Sequence, residues 1–128
     1  MIPFYIGEVM RKRAEELEKE RKAARAIEKL EDPEVDLVVV TDRGNPVGVF
    51  TDAEVVTLIA EKKDMAETTL AECQLSPVVT INELEEVETA ATLMNEHGMR
   101  HLLVTKANQI IGYLMDKDVR GAVTKDPK

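Results

Sequence analysis

Apolar and polar residues alternate in short blocks, and each block has the length of a strand or a helix. Leu37 to Thr41 is an apolar, β-branched run followed by the turn residues Asp42-Arg43-Gly44-Asn45 and a second run, Pro46 to Thr51, which together predict a buried hairpin. Residues 53–63 follow with helical spacing. Val55, Val56, Leu58 and Ile59 are candidate buried positions there, and Asp52 is a candidate cap. Pro77 to Ile81 predicts a short strand. Asn82, with Glu85 three residues on, has the pattern of a capping box for a helix whose stripe is Leu84, Val87, Ala90, Ala91 and Met94, stopped by Gly98. Leu102 to Thr105 and Ile110 to Met115 predict a second hairpin, and Asp116 caps a last helix reaching Val123. Upstream, Met10, Ala14, Leu17, Ala24, Ile27 and Leu30 recur at three- and four-residue steps. They predict one long, charged helix from Glu8 to Glu31, ended by Asp32-Pro33.

The blocks repeat. Val38 to Ile59 returns as Leu102 to Val123 at a constant offset of 64 residues, with Val40 on Val104, Gly48 on Gly112, Asp52 on Asp116 and Val55 on Val119. Two copies of one supersecondary unit are expected, residues 1–63 and 64–128, sharing one core because sixty residues are marginal alone. A ligand site is then expected in the cleft where the copies meet. The second copy reads strand, helix, strand, strand, helix. Counting back 64 from Ser76 to Ile81 lands on Lys12 to Leu17, inside the predicted helix, so the first repeat is expected to lack its opening strand. The fold class is α+β, with two pseudo-symmetric β-α-β-β-α repeats in one compact module.

Charge narrows the function. The net charge of −8 argues against nucleic acid, which needs a dense basic footprint. The balance is uneven. Residues 97–128 carry six basic and three acidic side chains, including Arg100, Lys106, Lys117 and Arg120, so an anionic small molecule would be received best there. Cys73 is the single cysteine. It permits no internal disulfide and no cysteine cluster for zinc, which suits a reducing cytoplasm. No apolar run approaches the length of about 20 residues needed to cross a bilayer. No nucleophile elbow or glycine-rich phosphate loop is present, and His97 and His101 flank Gly98 rather than share a helical face. No catalytic role, cofactor or metal is therefore assigned.

The two junctions between hairpin and helix carry a family resemblance. Gly48-Val49-Phe50-Thr51-Asp52-Ala53-Glu54 and Gly112-Tyr113-Leu114-Met115-Asp116-Lys117-Asp118 resemble the motif of the cystathionine-β-synthase (CBS) domain, and "IGEVM" at Ile6 to Met10 resembles that family's entry into its first repeat. The chain is thus similar to a tandem CBS pair, a Bateman module. The resemblance implies a regulatory module that binds an adenosine ligand (AMP, ADP, ATP or S-adenosylmethionine), forms a homodimer and controls a separate effector protein. The alternative is a ligand-free dimerisation module with degenerate sites. Each copy departs from the motif. The first keeps the hydroxyl, Thr51, but has Glu54 for the aspartate; the second keeps Asp118 but has Met115 for the hydroxyl. The implied ribose contact falls on Asp118. Lys117, Gly112, Met115 and Arg100 lie around it, with adenine near Val78, Val79 and Thr80, and Thr51 and Gly48 serve the other copy.

Overall fold

The computed structural model describes residues 4–124, and both hairpins form where the apolar runs place them. In the first, β3 (Val38–Asp42) pairs antiparallel with β4 (Asn45–Phe50) through a two-residue turn, Arg43 at φ 53° and Gly44 at φ 83°. In the second, β6 (His101–Lys106) pairs with β7 (Gln109–Met115) around Ala107 at φ 50° and Asn108 at φ 64°. Positive φ at both turn residues matches the right-handed twist of the strands they join. Each hairpin shifts register at the same point of the repeat, between Val40 and Thr41 and between Val104 and Thr105. Val38, Val39 and Val40 are all buried, so β3 is covered on both faces and shows no alternation.

The chain divides into two compact units, residues 14–78 and residues 1–13 with 79–128. In this division the N-terminal segment groups with the second repeat. There α1 (Ile6–Val9) lies against the loop after β5 (Thr80–Asn82), with the amides of Ile6 and Gly7 donating to Glu85 and Glu83 carbonyls at 2.8 and 2.9 Å. This unit's sheet has the order β1-β7-β6-β5, where β1 is Arg11–Lys12. Its core gathers Ile6, Ile81, Met94, Leu102 and Leu114 with α4 (Val87–His97) and α5 (Asp116–Thr124). The other unit has the sheet β2-β3-β4, where β2 is Glu15–Glu18, and a core of Leu17, Val38, Val40, Phe50, Leu58 and Leu70.

The long helix over residues 8–31 does not form, and the first repeat does have its opening strand. Glu15–Glu18 is β2, parallel to β3, and only Ala23–Leu30 is helical, as α2. The reason is tertiary. Leu17 is buried in the core at the place Ile81 occupies in the other repeat, and the carboxylates at the two ends of β2 have partners in the fold. Glu15 reaches Lys29 Nζ at 2.7 Å, and Glu18 accepts from the Arg43 and Gly44 amides of the hairpin turn and from Thr41 Oγ1. These contacts outweigh a helix propensity worth a few tenths of a kcal/mol per residue.

Three further expectations are corrected. Thr51, not Asp52, caps α3 (Asp52–Ala60), since its Oγ1 accepts from the Ala53 amide at 3.2 Å. On α3 Leu58 is buried and Val55 half-buried, while Val56 and Ile59 are 65% and 63% exposed. Asn82 ends β5 and accepts from the Leu84 amide in a local turn, leaving Leu84 exposed and starting α4 only at Val87. Gly98 ends α4 as expected, at φ 61°.

Candidate functional site

The sequence places its candidate residues at the step from the last strand of each hairpin into a helix. In the unit of residues 1–13 and 79–128, β7 ends at Met115 and α5 begins at Asp116, so Asp118 stands at the third helical position. Its carboxylate turns back and accepts the Met115 amide at 2.8 Å, which fixes the side chain across the strand-to-helix step. The opposite side is taken by Arg11 of β1. Its Nε lies 3.1 Å from Oδ2 and its Nη2 3.2 Å from Oδ1, a two-pronged charge-assisted contact. The Asp118 side chain is only 15% exposed.

The surrounding groups are more open. Arg100 is 86% exposed, with Nε 3.9 Å from Asp116 Oδ2, and Lys117 is exposed on the first turn of α5. Two helix-start amides are already engaged: the Asp116 amide donates to the Arg100 carbonyl and the Lys117 amide to Asp116 Oδ1, both at 2.8 Å. Val79 and Thr80 lie on the opposite edge of the sheet, where the Val79 carbonyl accepts from the Leu103 amide. Gly112 is buried in β7 opposite Lys12, and a Cβ there would come 2.1 Å from the Arg11 carbonyl oxygen.

The same junction in the unit of residues 14–78 is closed on itself. Glu54 is buried, and its Oε1 accepts the Thr51 amide at 2.6 Å and the Thr51 hydroxyl at 2.7 Å. Its Oε2 accepts the Ser76 hydroxyl at 2.8 Å. The Thr51 hydroxyl, the motif group that the first copy keeps, is therefore engaged as a hydrogen-bond donor to Glu54. Gly48 is buried against Leu75, and Val78 is the last residue of this unit.

A cavity of about 230 Å³ on this unit is lined by Glu54, Glu61 and Glu72 with Lys63 and Cys73, a surplus of carboxylates that disfavours an anion. Burial and the neighbouring Glu72, Glu54 and Glu61 push the Cys73 thiol up, so it stays protonated and packs as a small apolar group.

Arg11 and Ser76, the partners of the two junction carboxylates, are not legible as site residues in the sequence. Arg11 falls in the predicted helix and Ser76 in a connection. The in-register match of Leu17 with Ile81 is the signal that residues 15–18 form strand.

Residues 6–61 and 70–125 each match the family model of the CBS domain. An uncharacterised protein of Methanopyrus kandleri is 28% identical over 85 residues, which are 65% of this chain and 43% of that protein, so the chain spans less than half the length of that relative. Among solved structures, a protein with CBS domains from Burkholderia ambifaria is similar at a TM-score of 0.87 and 18% identity, covering 98% of this chain and 97% of that one. A CBS domain protein of Pyrobaculum aerophilum complexed with AMP is similar at a TM-score of 0.81 and 22% identity, covering 95% and 97%. At these identities the likeness to solved structures is one of fold. Among the described residues no helix is long and apolar enough to cross a membrane.

Proposed function

The chain belongs to the CBS-domain family, and on that footing we propose that it is a regulatory module whose ligand is an adenosine compound: AMP, ADP, ATP or S-adenosylmethionine. We place the ligand at the β7–α5 junction and assign it no reaction. The observation that carries this reading is the contrast between the two junction carboxylates. Asp118 is oriented by one amide and one guanidinium, beside the exposed cations Arg100 and Lys117. Glu54 is buried and occupied by the hydroxyls of its own unit. A carboxylate held in place can accept ribose hydroxyls, and two nearby cations favour phosphate. Met115 supplies no hydroxyl there, so the phosphate contact passes to Lys117 and Arg100, with Val79 and Thr80 offered to the base. The similar AMP-bound protein of Pyrobaculum supports the ligand class.

A thermal-shift screen against the four ligands tests this directly. A ligand at 100 times its dissociation constant stabilises by roughly 2.7 kcal/mol, an easily measured rise in Tm. No shift with any of them would remove the ligand and leave a dimerisation module. That second reading has its own support in the exposed Val56 and Ile59 on α3. A homodimer fits either reading, and its effector would be a separate protein.

A further inference from the structure

The two junctions share a feature built from unlike residues. Arg11 lies opposite Tyr113 in the β1–β7 pairing, and Ser76 lies opposite Val49, its equivalent 64 residues earlier. Each donates to the carboxylate at the third position of the following helix, Asp118 or Glu54. Each also sits on a segment where the chain leaves one unit for the other, since the division falls after Arg13 and after Val78. The motif glycine clears the path in both cases: a Cβ on Gly112 would meet the Arg11 carbonyl oxygen at 2.1 Å, and one on Gly48 would meet Leu75 Cβ at 2.6 Å.

Asp118 thus has two duties that interfere. It already accepts three hydrogen bonds, from Met115 N, Arg11 Nε and Arg11 Nη2. A carboxylate offers about four acceptor sites, and a ribose diol brings two donors, so both cannot be received while Arg11 keeps its two-pronged grip. The segment behind Arg11 is poised to move. β1 has two residues, and Arg13 after it sits at φ 74°, a left-handed conformation that costs energy for an arginine, with its amide donating to the Ile111 carbonyl at 3.1 Å. Resting on the assignment of Asp118 to the ribose, we propose that Arg11 is a positioning residue that competes with ligand hydroxyls for Asp118, so that binding releases Arg11 and loosens β1 from β7. Ligand occupancy is thereby converted into a change in the segment that leads out of the unit.

The test uses the full chain and adenosine, which brings the ribose without a phosphate and so separates competition from charge attraction. Without ligand, Arg11→Met is expected to lower hydrogen-exchange protection of the Arg13 amide by about tenfold. Adenosine is expected to lower it in the wild-type protein in the same direction, and Arg11→Met to bind adenosine about three- to tenfold more tightly by calorimetry. Arg11→Lys, which keeps the charge and loses the fork, should fall between the two. Adenosine that raises Arg13 protection, or binds Arg11→Met no more tightly, overturns the competition. Unchanged protection in ligand-free Arg11→Met overturns the latch even where the ribose assignment stands. Asp118→Asn binding adenosine as wild type does, or wild type not binding it at all, removes the ribose assignment and the competition with it.

Discussion

At the scale of single residues, the glycines separate motif from filler. Gly112 is required by the close passage of β1: its would-be Cβ faces the Arg11 carbonyl, backbone that cannot swing aside. Gly112→Ala should destabilise by about 1–3 kcal/mol, as overpacking does. Gly121 is different. It lies inside α5 with nothing within 4 Å of a Cβ, so Gly121→Ala should stabilise by about 0.5–1 kcal/mol through helix propensity. Urea denaturation of both variants checks the pair, and equal shifts would contradict the close approach at Gly112. Glu18 makes a pH prediction. Its hydrogen bonds to Thr41 Oγ1 and to the Gly44 and Arg43 amides hold its carboxyl below the ordinary value of 4.5. A lowered folded-state value means the contribution is intact above 4.5 and is lost as the pH falls through the lowered value. The group is only half-buried and partly screened by solvent, so the effect is modest. Glu18→Gln should flatten part of the fall in urea midpoint on acidification below that range, and a pH profile identical to wild type would rule the contact out as a contributor.

At the scale of elements, the hairpins were legible and the N-terminal third was not. Val38 to Phe50 and Leu102 to Met115 carry β-branched runs around turn residues, a signal contained in the local sequence. Residues 15–18 carry Glu and Leu, good helix formers, and what makes them strand lies elsewhere in the chain: Lys29 for Glu15, the Arg43-Gly44 turn for Glu18 and the core for Leu17. α3 shows the same limit. Its spacing marked four apolar residues without showing which would face the core. Leu58→Ala should cost about 2–5 kcal/mol, as truncation of a buried leucine does. Val56→Glu with Ile59→Glu should leave folding stability within about 0.5 kcal/mol per site. If that exposed face pairs two copies, the double variant should scatter light as a 14.3 kDa chain where wild type scatters as twice that mass. An unchanged mass would place the contact elsewhere.

At the scale of the molecule, the 64-residue offset carried the family and the α+β class, and it held even where the secondary structure read from it did not. Leu17 and Ile81 are equivalent, and both are buried in strands. The offset gave no sign that residues 4–13 pack with residues 79–124, because that exchange depends on hydrogen bonds to the loop at Glu83 and Glu85. Asp118 was legible as a candidate from its motif. Its partner Arg11, 107 positions away in the chain, was not. The central claim is that one junction of the two, the one at Asp118, receives the adenosine ligand. Calorimetric titration of AMP into wild type, Asp118→Ala and Glu54→Ala tests it most directly. One site per chain is predicted, with Asp118→Ala weakening binding roughly tenfold to a hundredfold through loss of charge-assisted hydrogen bonds, and Glu54→Ala binding nearly as wild type. Wild-type affinity in Asp118→Ala together with loss of binding in Glu54→Ala would contradict it.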